Sequence, residues 1–164
     1  MIEPELPAGV RPAVVDDIAA IHELICDLAT YERARHEVKA TPDQLRTALF
    51  GPTPAAYALV AEADGHVVGF ALYFLSYSTW DGVHGLYLED LYVRPERRGS
   101  GLGKALLSGL ASIAVARGYT RVEWSVLDWN TPSIEFYRSL GAVGLDEWTK
   151  FRLTGETLAQ LAAR

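Results

Sequence analysis

Apolar positions recur at two spacings along this chain, and each change of spacing marks an element. Ile18, Ile21, Leu24, Ile25 and Leu28 return every three or four residues, the period of a helix with one buried face. Asp16 precedes them as a cap, and the pattern fades at Tyr31-Glu32. Thr41-Pro42-Asp43-Gln44 joins a capping hydroxyl, a proline in the first turn and a glutamine three residues after the cap. A second helix therefore starts there, runs to about Leu49 and is stopped by Gly51-Pro52-Thr53-Pro54. The rhythm then becomes that of strands. Tyr57 to Ala63 and Val67 to Tyr77 flank Asp64-Gly65-His66, a hairpin turn, and Gly85 to Val93 is rich in leucine, tyrosine and valine. Helical spacing returns on Leu102, Leu106, Leu110 and Ile113, within a helix from about Gly101 to Arg117 that Gly118 stops. Arg121 to Leu127 and Glu147 to Leu153 carry strand patterns. Pro132 to Leu140 reads as a short helix closed by Gly141, and Glu156 to Ala163 as a terminal one. Gly9 to Val14 supplies a short first strand.

The order is β, α, α, three strands, then α, β, α, β, α. Three successive strands before a crossover helix predict an α/β (α+β mixed) fold, a mixed sheet flanked by helices. The 164 residues hold no repeat, low-complexity tract or long linker, so a single domain over 1–164 is expected. No apolar run reaches the roughly 18 residues a membrane span needs, and MIEPELPAGV, with two acids and no base, is not a signal peptide. A single cysteine excludes an internal disulfide framework and points to a cytoplasmic protein. The formal net charge of −6 argues against nucleic acid and towards small cationic partners.

The chemistry begins at Arg97-Arg98-Gly99-Ser100-Gly101-Leu102-Gly103-Lys104, which lies between a strand end and a helix start. The first amides of a helix have no internal partners, the dipole there is positive, and glycines let an anion reach the backbone. Phosphate is the natural guest. A Walker loop would need glycine at Arg98 and serine or threonine at Ala105, and a GxGxxG fingerprint from Gly99 would need glycine at Lys104. Both fail. A loop that serves chain geometry alone stays open on this evidence.

The spacing Arg98-x-x-Gly101-x-Gly103 resembles the pyrophosphate loop of the GCN5-related N-acetyltransferases (GNAT). Tyr87-Leu88-Glu89-Asp90-Leu91-Tyr92-Val93 stands where that family has its fourth strand. Trp129-Asn130-Thr131-Pro132-Ser133-Ile134-Glu135-Phe136-Tyr137 looks like its N-x-x-[AS]-x-x-[FL]-Y segment, followed by Gly141-Ala142. Within the family, LYLEDLYV, RGSGLGKALL and DWNTPSIEFYRSLGA are similar to the spermidine/spermine (diamine) acetyltransferase branch, as are Leu28-Ala29-x-Tyr31-Glu32 and Gly69 to Phe74.

The resemblance implies the GNAT fold: a mixed, largely antiparallel sheet with a splayed fourth strand, flanked by helices. It implies transfer of acetyl from acetyl-CoA to a primary amine of a small cation, either a polyamine or diamine or a thialysine-like amino acid, with no metal. Glu89 is then the group that removes the ammonium proton through ordered water and attracts the cation; its other reading is a solvent-facing glutamate. Strict alternation puts Asp90 on the opposite face, unless the strand is bulged. Leu91, Tyr92 and Val93 would offer backbone groups to the pantetheine arm and acetyl carbonyl. Arg98, Gly99, Ser100, Gly101, Leu102, Gly103 and Lys104 would hold the diphosphate, although Lys104 also reads as plain surface. Tyr137 would face the coenzyme sulfur and protonate the thiolate, against a reading as core aromatic. Asn130 and Ser133 either bind the coenzyme or cap a helix. Tyr31 and Glu32 match a substrate-contacting pair, or merely end the first helix. A homodimer with an exchanged C-terminal strand is implied as well.

Two departures stand out. Asp81 follows Trp80 where the branch places an acid before the tryptophan, and the segment around Asp146-Glu147-Trp148 is shorter than in polyamine enzymes. Cys26 falls on the apolar rhythm as a buried thiol, the four histidines show no ligand spacing, and the tryptophans suit core or interface packing. Two other functions fit the sequence: a non-catalytic acyl-CoA sensor, and acetylation of a protein amine.

Overall fold

A computed structural model of the chain describes residues 3–164. They form two compact units, one ending at Ser125 and the other spanning Val126–Arg164. The first carries the whole sheet, in the order β1 (Val10–Pro12), β2 (Tyr57–Ala63), β3 (His66–Ser78), β4 (Val83–Val93), β5 (Val122–Glu123). The first three pairings are antiparallel and β4–β5 is parallel. The hairpin between β2 and β3 turns on Asp64 and Gly65, both at positive φ (53° and 76°), the geometry of a tight two-residue turn.

Helices α1 (Ile18–Tyr31) and α2 (Pro42–Phe50) precede the hairpin, and α3 (Leu102–Ala116) follows β4. Ile18, Ile21 and Leu24 of α1 and Leu45 and Leu49 of α2 form a buried cluster with Ala58, Val60, Phe70 and Tyr92. Leu106, Leu110 and Ile113 bury the face of α3. The α2 start is the predicted one: Thr41 Oγ1 accepts from Gln44 N at 3.2 Å and Gln44 Oε1 from Thr41 N at 2.9 Å. The α1 start differs. A 3-10 turn, Val15–Asp17, comes first, and Asp17 rather than Asp16 turns its carboxylate back to the Val14 N–H at 2.8 Å.

Two strand expectations are corrected. β5 is two residues long, not the predicted Arg121 to Leu127. It pairs only Val122 with Leu86 and Glu123 with Tyr87, so Leu88 to Val93 run on past their parallel neighbour, as a splayed fourth strand does. The cause lies in β4. Leu72 and Tyr73 are adjacent in β3 but pair with Asp90 and Leu88, leaving Glu89 as an extra residue. Such a bulge bends the strand and sharpens its twist, and a straight neighbour parts from it.

The second unit carries α4 (Thr131–Ser139) and α5 (Gly155–Ala162). The other expected strand, Glu147 to Leu153, is irregular chain, with Trp148 73% and Phe151 90% exposed. Its alternating pattern has no neighbouring strand among the described residues. Trp80, at 96% exposure, is not a core residue, which removes the core half of the expectation for that tryptophan. Cys26 is half-buried. Among the described residues no helix is long and apolar enough to cross a membrane.

Candidate active site

The glycine loop is built as a mouth. Gly99 and Gly101 sit at φ 80° and 84°, where a side chain would be strained. Ser100 Oγ donates to the Arg97 carbonyl and closes the turn. The first helical bond is Ala105 N to Gly101 O at 2.9 Å, so the N–H groups of Leu102, Gly103 and Lys104 precede the ladder. Gly103 has an ordinary helical backbone, and a Cβ added there would meet nothing within 4 Å. Nothing in the chain itself therefore requires glycine at 103. The surface there is open, and a bare backbone at a helix start suits close approach by an anion. Lys104 is exposed.

The bulge changes what β4 presents. Alternation would have separated Glu89 from Asp90 in a regular strand; the strand is bulged, the exception left open, and the extra residue sets both on one side. Asp90 is partly buried, and burial first, then the charges of Glu89 and Glu32, push its carboxyl up to about 6. Glu32, just past the end of α1, is also raised, by burial. Asp90 thus senses two other acids of the same unit. Among the described residues, none of their carboxylates takes part in a hydrogen bond or ion pair, and no group of His, Cys, Asp or Glu is arranged to hold a metal ion. Like charges gathered without a counterion favour an arriving organic cation. Asp90 is the residue that the sequence reading left without a role; only the two-for-one pairing of β4 reveals it.

Tyr31, at the end of α1, lies under the Arg98 guanidinium, 5.3 Å from ring centroid to Cζ. The same guanidinium stands 5.3 Å from the Tyr92 ring, and Arg98 Nε donates to the Val93 carbonyl at 3.1 Å. Leu91, Tyr92 and Val93 belong to the splayed part of β4. Asp81, the displaced acid, is already engaged: Thr120 Oγ1 donates to it at 2.9 Å and Arg121 pairs with it at 3.1 Å. Those bonds hold its carboxyl below the usual range.

In the second unit Asn130 caps α4, its Oδ1 accepting from Ser133 N at 3.4 Å. The capping alternative is thus realised for this pair. Tyr137 lies on α4 with its ring 5.5 Å from that of Phe136, and its carbonyl accepts from the Leu140 and Ala142 N–H groups around Gly141.

Residues 18–142 match the acetyltransferase (GNAT) family. A thialysine N-epsilon-acetyltransferase of Bos taurus is 41% identical, over 94% of this chain and 97% of its own length. A spermidine/spermine N(1)-acetyltransferase-like protein 1 of Homo sapiens is 34% identical over 93% of this chain and 23% of its own. In structure, an integron cassette protein from the mobile metagenome of V. cholerae superposes with a TM-score of 0.79 over 94% of this chain and 97% of its own, at 24% identity, a likeness of fold. A match that opens in α1 and closes beyond α4 takes in the mouth, the bulge and the capped helix together, and the chain belongs to the GNAT acetyltransferase family.

Proposed function

We propose that this protein transfers acetyl from acetyl-CoA to the side-chain amine of a small cationic substrate of the thialysine type, by direct attack in a ternary complex. The observation that carries the acceptor class is the unneutralised trio Glu32, Glu89 and Asp90 on the unit that also bears the anion-binding mouth. A thialysine enzyme at 41% identity over nearly its full length supports an amino acid acceptor. So does Asp81, whose pairing with Arg121 removes one acid from the reach of a longer polyamine.

The roles follow from the charges. The diphosphate lies on the amides of Gly99 to Lys104, and backbone groups of Leu91, Tyr92 and Val93 orient the pantetheine and the acetyl carbonyl. Glu32, beside Tyr31, and Asp90 attract the ammonium. An alkylammonium with a pKa near 10 is a nucleophile in about one molecule per thousand at neutral pH, so a proton must leave first. Glu89 takes it through water. The amine nitrogen then bonds to the acyl carbon, the C–S bond breaks, the Tyr137 hydroxyl gives its proton to the thiolate, and the second proton shed by the newly acylated nitrogen restores the phenol. Asn130 and Ser133 hold the start of α4, which carries Tyr137. The chain acts as one acetyltransferase domain in the cytoplasm and pairs as a homodimer. Exposed Trp148 and Phe151, in a strand-patterned segment with no partner strand among the described residues, support a second copy covering them.

Thiol release tests this reading. Acetyl-CoA with thialysine, lysine, ornithine, putrescine and spermidine should yield free CoA, with the largest kcat/KM on an amino acid. Glu89→Gln with Tyr137→Phe should lower kcat at least 100-fold, and Gly103→Ala should raise KM for acetyl-CoA. An acyl-CoA sensor would release no thiol with any amine, and a protein acetyltransferase would turn over only peptides.

A further inference from the structure

The connection from β4 to α3 carries three arginines, and two of them reach back to α1. Arg94 Nη2 pairs with Glu23 at 3.2 Å and Nη1 with Asp27 at 3.4 Å. Arg98 lies over the Tyr31 ring at 5.3 Å. Glu23, Asp27 and Tyr31 are spaced i, i+4, i+8 and so form one stripe along the second half of the helix. Arg94 and Arg98 are themselves four residues apart, either side of the 3-10 turn Pro95–Arg97. The result is a clasp: two cations in one short connection read two acids and an aromatic face in a row. The third arginine, Arg97, points elsewhere and pairs with Asp64 at the tip of the β2–β3 hairpin.

We infer that Arg98 is a positioning residue for the acceptor amine as well as part of the diphosphate mouth. Its guanidinium is already engaged, with Nε on the Val93 carbonyl at 3.1 Å and Cζ 5.3 Å from the ring centroids of both Tyr31 and Tyr92. α1 ends at Tyr31, so the residue that fixes this ring also fixes where Glu32 begins. Arg94 holds the preceding turn and Arg98 the last one. The inference rests on the reading of Tyr31 and Glu32 as the amine side of the site. It goes beyond that reading by giving an arginine of the coenzyme loop control over amine affinity.

A mutant cycle separates this role from diphosphate binding. With acetyl-CoA saturating, Arg98→Ala should raise the amine KM about fivefold, the size expected for a partly exposed cation–aromatic contact. It should raise KM by the same factor in a Tyr31→Phe background, which keeps the ring, and by less than twofold in a Tyr31→Leu background, which does not. Arg98→Lys, a cation without the plane, should recover part of the loss. Hydrogen exchange of the unliganded protein provides the readout that needs no turnover: amides 29–34 should exchange faster in Arg98→Ala. An amine KM within twofold of the parent, with the increase confined to acetyl-CoA, overturns the inference. So does an equal effect in the Tyr31→Leu background, or unchanged exchange at 29–34. If the parent acetylates no amine, the proposed function fails, and the clasp is still judged by the exchange.

Discussion

Asp17 and Asp90 are both aspartates withdrawn from solvent in the same unit, and they are treated in opposite ways. Asp17, 6% exposed, takes Arg11 Nη1 at 2.7 Å and Nη2 at 3.0 Å, with the Val14 N–H at 2.8 Å. Its carboxyl lies below the ordinary 3.8, chiefly because of the Arg11 hydrogen bonds. Arg11 is shared with Glu62 at 2.6 Å, so the cation is matched on both sides. Asp90 has no such partner among the described residues. It is surrounded by Glu89 and Glu32 and pushed up to about 6. A fold that neutralises one buried acid so fully has the means to neutralise another. The charge left at the bulge supports the proposed cation site, and the comparison sets an acid paired within the fold beside one that has no cation among the described residues.

The largest effect should come from stripping Asp17 of its cation. Arg11→Met leaves a buried carboxylate unpaired and should cost about 3 kcal/mol, read as a lower midpoint in urea. Because the Asp17 pKa is depressed, that contribution is present above its unfolded value near 3.8 and is lost as pH falls through the folded one.

The same kind of change at the bulge should have the opposite sign. Asp90→Asn should stabilise the unliganded protein by about 1–2 kcal/mol at pH 7.5 while weakening the amine. A raised folded pKa means that the penalty of the charged form is absent below the unfolded value and complete above about 6. The gain in midpoint should thus appear as pH rises from about 4 to about 6 and then level off. Loss of stability in Asp90→Asn at pH 7.5 would erase the distinction.

The smallest effect sharpens it. The amine KM should rise as pH falls through about 6, by a few-fold per unit, while KM for acetyl-CoA stays level; Asp90→Asn should abolish that slope.

How far the sequence discloses these features depends on whether they are local. The α2 cap and the hairpin turn are spelled out within four residues each, and both form as read. The mouth of α3 is equally local, in its glycines. The bulge is not. Tyr-Leu-Glu-Asp-Leu-Tyr-Val contains no glycine or proline at the break, and its alternation is consistent with a regular strand; only the partner strand shows that Glu89 is surplus. Glu89 enters as a candidate through the family resemblance, and Asp90 only through the pairing. β5 was overextended for a related cause. Val-Glu-Trp-Ser-Val-Leu alternates whether or not a neighbour stays within reach, and β4 bends away after Tyr87. Residues 147–153 make the same point, since a strand pattern states which side chains would share a face and not that a strand exists beside them. The arginine clasp joins positions about seventy residues apart in the chain, beyond any spacing rule.

The pairing around Glu89 has one more implication. Leu72 and Tyr73 are consecutive opposite Asp90 and Leu88, so excising Glu89 would leave every later pair aligned and every later side chain on its present face. The ladder would close without a gap. The extra residue is thus one the strand register does not need and a single deletion could remove, so the kink can be taken out with the rest of the ladder kept in step.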